Sequence, residues 1–213
     1  MSRKTGDFMF NHSLQQTTSS QRMSVRDLAT IGIFSVLMTV IAIVIAILSS
    51  PVIYLSLFFS SPIITFITAP LYMFMILKVH KRGTVFLYFC ILAVIYLISG
   101  TPYLALWFLI GGILGEASMS GSGAYASISR ITISWVICTL FRSTNGMVDI
   151  WFFTKQYLAS GVSRAHFEQV ARFYDSVPWV LFILIIASIA AVAGGVVSGR
   201  LMRKHFSTNG LAQ

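Results

Sequence analysis

The sequence is poor in charged residues, in acidic residues above all, and in cysteine. Only 10% of its 213 residues are charged and six are acidic, whereas 56% are hydrophobic. This composition excludes a soluble domain, because too little polar surface is left to cover the core. Cys90 and Cys138 lie in apolar runs without the spacing of a zinc site or of a disulfide framework. We therefore predict an all-α integral membrane protein.

Ionisable residues are also scarce inside the apolar runs, where Glu116 and Arg130 are the obvious charges. Proton pumps, ion-coupled exchangers and intramembrane enzymes usually carry buried Asp, Glu, His or Lys. Neither a set of paired catalytic groups nor a Walker A sequence is found. We therefore expect no enzyme, no metal site and no cofactor of the protein's own. Glu116 and Arg130 are expected to form an ion pair, unless Arg130 reaches a lipid phosphate.

Six apolar segments are long enough for a bundle of about six transmembrane helices, since the hydrocarbon core needs roughly 20 residues per crossing. They run over 28–48, 52–77, 84–99, 103–117, 124–141 and 178–202. Ser24 and Asp27 can cap the first helix. Pro62 and Pro70 predict a second helix that is kinked or broken.

The net charge of +9 comes from basic residues at the ends of the apolar runs, which membrane topology explains without nucleic acid. These residues concentrate in the N-terminal tail, in the turn 78–83 and at the C-terminus. By the positive-inside rule both termini are predicted to be cytoplasmic and the segment 142–177 external. The expected organisation is a polar tail 1–24, a membrane domain 25–206 that includes the external segment, and a C-terminal tail 207–213.

Small residues form a stripe on two of the predicted helices. Such stripes let another helix backbone approach closely in lipid. Either they pack inside the bundle or they are a docking face for another membrane subunit, and spacing alone does not decide between the two. The stripes consist of Ala29, Gly32 and Ser35 on the first helix and of Ala187, Ala191, Gly195 and Gly199 on the last.

The predicted external side is rich in aromatic residues, which suit a small-molecule pocket but are also typical of membrane interfaces. The segment 142–177 is expected to be an ordered lid, with Ser163 capping a helix inside it. His166 and Met147 raise the possibility of a haem-like or other metal-containing cargo. The candidate substrate-binding residues are Tyr54, Tyr103, Trp107, Met147, Trp151, Phe152, His166, Arg172, Tyr174 and Trp179.

Four stretches of the sequence are distinctive together, namely RDLATIGIF at 26–34, ITAPLY at 67–72 followed by Lys78 and Val79, the glycine-containing stretch 107–116, and GRLMRKHF at 199–206. In this order they resemble the Trep-Strep family, which is grouped with the substrate-specific S components of energy-coupling factor (ECF) transporters. The likeness covers nearly everything after residue 24.

The resemblance implies a subunit of the bacterial cytoplasmic membrane that captures a vitamin-, metal-chelate- or tetrapyrrole-like micronutrient outside the cell. It would deliver the cargo inward with a transmembrane T component and two ATPases. S components typically dock through an Ala-x-x-x-Ala patch on the first helix. Here Ala42 and Ala46 match that spacing but lie too far out, while Ala29 and Gly32 have the better depth. The alternative function is a self-sufficient facilitator or channel.

Overall fold

The computed structural model describes residues 23–208, with side chains up to Lys204, and this part of the chain is helical without strands. The predicted tails, 1–24 and 207–213, therefore lie almost entirely outside the described residues. The all-α prediction is confirmed. The helices are α1 (Val25–Ser49), α2 (Ser60–Val79, preceded by a π-helical turn at Leu55–Phe59), α3 (Thr84–Ile98), α4 (Pro102–Ser118), α5 (Ile128–Ser143, preceded by a 3-10 turn at Ala124–Ala126), α6 (Asn145–Phe152), α7 (Thr154–Ala159), α8 (Arg164–Tyr174) and α9 (Val177–Thr208).

Three helical stretches are long and apolar enough to cross a membrane, namely Val25–Ser49, Leu55–Val79 and Val177–Lys204. Two shorter apolar helices, α3 and α4, accompany them. Membrane embedding is thus supported by length and composition. The count of six crossings and the cytoplasmic termini stay predictions.

The long helices form a bundle in which α1 packs on α2 and α3, α3 on α4, α4 on α5, and α9 on both α2 and α5. Helices α3 and α4 form a hairpin, and Gly100 turns the chain between them with φ at 85°. Because successive long helices alternate in direction, α1 begins and α9 ends at the same end of the bundle, here named the proximal end. The short helices α6, α7 and α8 lie at the opposite, distal end.

The α1 N-terminus forms the predicted cap. The Ser24 backbone N–H donates to Asp27 Oδ2 at 2.8 Å, and the Asp27 N–H donates to Ser24 Oγ at 3.2 Å. Lys81, in the turn between α2 and α3, donates to the same Asp27 oxygen at 2.8 Å. The cap therefore also joins the first helix to the neighbouring proximal turn.

The second predicted span continues through Pro70 as one α-helix, and its irregularity is the π-helical turn at its distal start. Proline removes the hydrogen bond to the carbonyl four residues earlier, here that of Phe66. Helix α9 approaches this point through Gly194, where an added Cβ would lie 2.8 Å from Ala69 Cβ and 3.3 Å from Phe66 Cα. Close packing by a glycine thus supports the helix where proline weakens it.

The small-residue stripe of α9 faces the bundle interior. Ala187 and Ala191 are fully buried. A Cβ added at Gly195 would lie 2.5 Å from Thr132 Cγ2, and one at Gly199 would lie 2.6 Å from Ile128 Cγ2. Helix α5 already occupies this face, so the α9 stripe packs within the chain, and its interpretation as a docking face is wrong for this conformation.

Candidate functional site

A cavity of about 410 Å³ lies in the distal half of the bundle, between α1, α2, α3, α5 and α9. This volume lies within the range of ligand sites. Its polar lining consists of Thr39, Ser56, Ser60, Ser61, Tyr88, Tyr96, Ser99, Arg142, Ser143, Asn145 and Tyr174, and its apolar lining of Ala42, Ile43, Ala46, Leu57, Ile64, Leu92, Ile95, Phe108 and Ile183.

The cavity has an exposed mouth and a buried floor. Ile43, Ala46 and Ser99 are exposed lining residues, which places the mouth beside the distal ends of α1 and α3. On the proximal side the floor continues into closely packed rings, with Tyr72 centred 4.5 Å from Trp135 and 5.8 Å from Tyr88. Each of these three side chains is at most 1% exposed. The packing therefore separates the cavity from the proximal end.

Arg142 brings a positive charge to the cavity wall. It lies in the last turn of α5, is half-buried, and interacts electrostatically with the hydroxyls of Tyr88 and Tyr96. Within the described part of the chain it forms no ion pair, since the salt bridges found there join Lys81 to Asp27 and Arg164 to Glu168. The guanidinium thus lines the cavity without a neutralising carboxylate.

Asn145 and two serines organise the polar wall beside Arg142. The Asn145 amide donates to Tyr96 Oη at 3.0 Å, and its Oδ1 accepts from the Gly146 N–H at 2.7 Å. The Ser61 and Ser143 hydroxyls lie 2.6 Å apart and bridge α2 to α5. The Tyr88 hydroxyl is buried and has no hydrogen-bond partner of good geometry among the described residues.

Tyr174, at the end of α8, closes the distal side of the cavity. Its hydroxyl packs against Gly146, where an added Cβ would lie 3.1 Å from Tyr174 Oη. Burial raises the pKa of Tyr174, so this phenol stays neutral at physiological pH. The predicted Ser163 cap forms through a 3.3 Å bond from the His166 N–H, which confirms the α8 helix that carries Tyr174.

Of the ten candidate substrate-binding residues, Tyr174 alone lines the cavity. Tyr54 and Trp179 belong instead to an aromatic cluster around Phe58 and Phe173 at the distal surface. Met147 is fully buried against Phe58 and Ile183. Neither the cluster nor Met147 contributes a surface to the cavity.

The remaining candidates have structural partners or face outward. The Trp107 indole donates to the Phe141 carbonyl at 3.0 Å, and Tyr103 stacks on Phe153 at 4.1 Å. The Trp151 indole donates to the Tyr174 carbonyl at 3.1 Å. Phe152, His166 and Arg172 are exposed on the short distal helices.

Sequence reasoning missed the residues that give the cavity its polarity. The predicted fifth span ends at Phe141 and leaves Arg142 in the external segment, whereas α5 continues to Ser143. Tyr88 and Tyr96 lie in a continuous apolar run, where the sequence does not distinguish them from ordinary residues of the hydrophobic core. The available signal was the sequence from Arg142 to Asn145, in which charged, hydroxyl and amide side chains follow an apolar helix.

The proximal end has a shallower depression of about 460 Å³ lined by Arg82, Phe86, Glu116 and Tyr125, among others. The Glu116 carboxylate accepts from the backbone N–H groups of Gly83, Val85 and Phe86 at 2.6, 3.1 and 3.3 Å, and from the Tyr125 hydroxyl. Arg130 donates to the Ser120 carbonyl instead.

The predicted ion pair between Glu116 and Arg130 is therefore not formed. The three N–H groups belong to the N-cap residue Gly83 and to the first turn of α3, whose unpaired donors and positive dipole end favour a carboxylate. Glu116 thus caps a neighbouring helix and has little acceptor capacity left for a ligand.

The family assignment follows from a match of residues 25–208 to a family model described as a hypothetical bacterial integral membrane protein, Trep_Strep. The chain belongs to this family. For this Trep_Strep chain, no match was found among curated proteins or among solved structures. Membership supports a membrane-embedded bacterial protein. In the described part of the chain, no three His, Cys, Asp or Glu side chains are grouped to hold a metal ion.

Proposed function

We propose that this protein is the substrate-binding S component of an ATP-driven importer of the ECF type. It would capture a small micronutrient at the distal end, which we place outside the cell. A transmembrane T component and two ATPases would supply the energy for inward delivery. The single observation that carries the proposal is the distal cavity with a packed floor.

A cavity that ends on packed rings suits capture better than free passage. A facilitator or channel needs a continuous polar path, and the Tyr72, Tyr88 and Trp135 rings fill the centre of the bundle below the cavity. A protein with such a floor has to change its conformation or orientation before it releases cargo at the proximal end. Coupling to an energised partner would supply that step.

The proposed docking face is the proximal part of α1. Ala29 is exposed, and a Cβ added at Gly32 would meet nothing within 4 Å. Ser35 belongs to the same predicted patch but is fully buried, where its hydroxyl donates to the Ile31 carbonyl. Ala29 and Gly32 are thus the members of the patch that a T component can contact. Ala42 and Ala46 line the cavity instead.

The test is purification of the tagged protein from its native membrane in mild detergent, with mass spectrometry of the co-purifying proteins. We expect a T component and two ATPases. A chain that is repeatedly recovered alone or as a homo-oligomer, with the ATPases present but unbound in the same membranes, overturns the proposal and favours the facilitator.

A pair of variants locates the docking face. Gly32→Trp places bulk on the open α1 surface and is expected to reduce recovery of the T component at least tenfold. Ile133→Trp enlarges an outward-facing residue of α5, which is 55% exposed, and should leave recovery unchanged. Equal recovery of the T component with both variants would refute α1 as the docking face but would not refute the complex.

A further inference from the structure

The distal cavity is rich in hydrogen-bond donors and poor in charged acceptors. Among the described residues that line it, Arg142 is charged and none is Asp, Glu, His or Lys. A guanidinium is always protonated and offers a planar set of donors that matches a carboxylate or a phosphate. In a low-dielectric bundle an unpaired cation is costly, and a bound anion removes much of that cost.

The hydroxyls near Arg142 point to the same ligand chemistry. Tyr96 Oη accepts from the Asn145 amide, so its own hydrogen is free for an acceptor inside the cavity. The buried Tyr88 hydroxyl likewise has no partner of good geometry. Arg142 lies next to the Tyr88 hydroxyl, and the hydroxyl hydrogens of Tyr88 and Tyr96 have no acceptor of good geometry among the described residues. An oxyanion at this wall would accept from these hydroxyls and from the remaining guanidinium donors.

The rest of the cavity suits an organic body. Leu57, Ile64, Leu92, Ile95, Phe108 and Ile183 line the surface away from the polar wall. An inorganic ion would leave this apolar surface unfilled, whereas a molecule with an apolar part and one anionic group would contact both walls.

We propose that the distal cavity binds a small organic anion whose carboxylate or phosphate group is received by Arg142, Tyr88 and Tyr96. This inference rests on the proposed function, because it names the class of the cargo. His166 and Met147 have no part in it, since the structure places both outside the cavity lining.

The experiment measures the thermal unfolding temperature of the full-length protein, purified without partners, during titration with benzoate and with phenyl phosphate. Benzamide is the neutral probe of similar shape, and sodium chloride controls for ionic strength. We expect a concentration-dependent rise in Tm with at least one of the two anions and none with benzamide, since binding to the folded state alone raises its stability.

Variants assign the effect to the cavity. Arg142→Gln is expected to abolish the anion-dependent rise, and Tyr96→Phe to weaken the apparent affinity severalfold. Arg172→Gln removes an exposed arginine of α8 that does not line the cavity and should behave like the wild type. The Tyr96→Phe variant keeps the test open if Arg142→Gln does not fold. The proposal is overturned if neither anion raises Tm, if benzamide raises it equally, or if the rise survives in Arg142→Gln.

Two sources of the oxyanion are distinguished in lipid nanodiscs. With phosphatidylcholine alone, the benzoate or phenyl phosphate effect should match that in detergent. If added phosphatidylglycerol leaves the effect unchanged, the site takes a soluble anion; if it suppresses the effect in the wild type, a lipid headgroup competes for Arg142.

The outcome is independent of the test of the proposed function. If a T component co-purifies but neither anion raises the Tm, the proposed cargo class is wrong and the importer proposal is unaffected. If an anion raises the Tm but the chain has no partners in its native membrane, the importer proposal is wrong and the binding site is unaffected.

Discussion

The two ends of the bundle differ in how completely their polar groups are paired. At the proximal end Asp27 accepts from Ser24 and Lys81, and Glu116 accepts from three backbone N–H groups and Tyr125. In the distal half Arg142 has no carboxylate partner, and the buried Tyr88 hydroxyl has no hydrogen-bond partner of good geometry among the described residues. Paired groups contribute to the stability of the fold, whereas unpaired groups lower it and are available to a ligand. We therefore assign a structural role to the polar groups of the proximal end and a ligand-binding role to those of the distal half.

The largest expected effect is on the proximal end. Glu116→Ala removes the acceptor of three N–H groups at the start of α3 and of the Tyr125 hydroxyl, and should lower the free energy of unfolding by about 2–4 kcal/mol. In a thermal unfolding experiment this corresponds to a Tm lower by roughly 5–15 °C for a chain of this size.

The matched control for Glu116 is Glu168→Ala. Glu168 forms only an exposed pair with Arg164, at 3.5 Å, and its loss should change stability by less than about 0.5 kcal/mol. Equal Tm values for both alanine variants would contradict a capping role for Glu116.

The next largest effect on stability distinguishes the α9 stripe, which α5 covers, from the α1 patch, which no other helix covers at Gly32. Gly195→Ala forces a methyl group against Thr132 and should cost about 1–3 kcal/mol, because a packed helix contact has to separate. Gly32→Ala meets empty space and should leave Tm unchanged or slightly higher, since alanine favours helix. Should Gly195→Ala prove as harmless as Gly32→Ala, the close contact of α9 with α5 is not present in the membrane.

Much of the helical framework could be predicted from the sequence, because lipid imposes a length of apolar residues on each crossing and capping residues mark helix ends. The segments 28–48 and 84–99 fall within two residues of α1 and α3 at all but one end, and Ser24 and Ser163 cap the helices they were expected to cap. The hairpin at Gly100 also follows from local sequence. Each of these features is determined by residues that lie close together in the sequence.

The cavity could not be predicted in the same way, because its wall combines residues of helices whose relative rotation has no local signal. Tyr88 and Tyr96 are two turns apart in an apolar run, and only the tertiary structure shows that they share a cavity with Arg142 of α5. Likewise, small residues recur at helical spacing on both helices, every three residues on α1 and every four on α9. Which stripe is filled depends on tertiary contacts with Thr132 and Ile128.

A smaller effect, opposite in kind to that of Glu116, is expected at Arg142. In the ligand-free protein Arg142→Gln removes an unpaired cation from a half-buried site, so Tm should stay within about 2 °C of the wild type or rise, since a buried unpaired charge does not stabilise the fold. A fall in Tm comparable to that of Glu116→Ala would show that Arg142 is a structural residue. The comparison of the two ends would then fail.

The smallest effect is a pH dependence at the distal end. Asp149 lies in α6, and burial raises the pKa of its carboxyl above the ordinary value of 3.8, although a hydrogen bond with Tyr103 partly opposes the shift. The folded state therefore holds this proton more tightly than the unfolded state does. The associated stability is fully present below pH 3.8 and is lost as the pH rises through the folded-state pKa.

Asp149→Asn should remove this contribution, since the amide cannot ionise. We expect the fall in Tm as the pH rises from 3.8 through the folded-state pKa to be smaller in Asp149→Asn than in the wild type. Asp175→Asn changes an exposed carboxyl at the end of α8 and should keep the wild-type slope. If Asp149→Asn keeps the slope as well, the Asp149 carboxyl is solvated and its burial does not contribute to the pH dependence of stability.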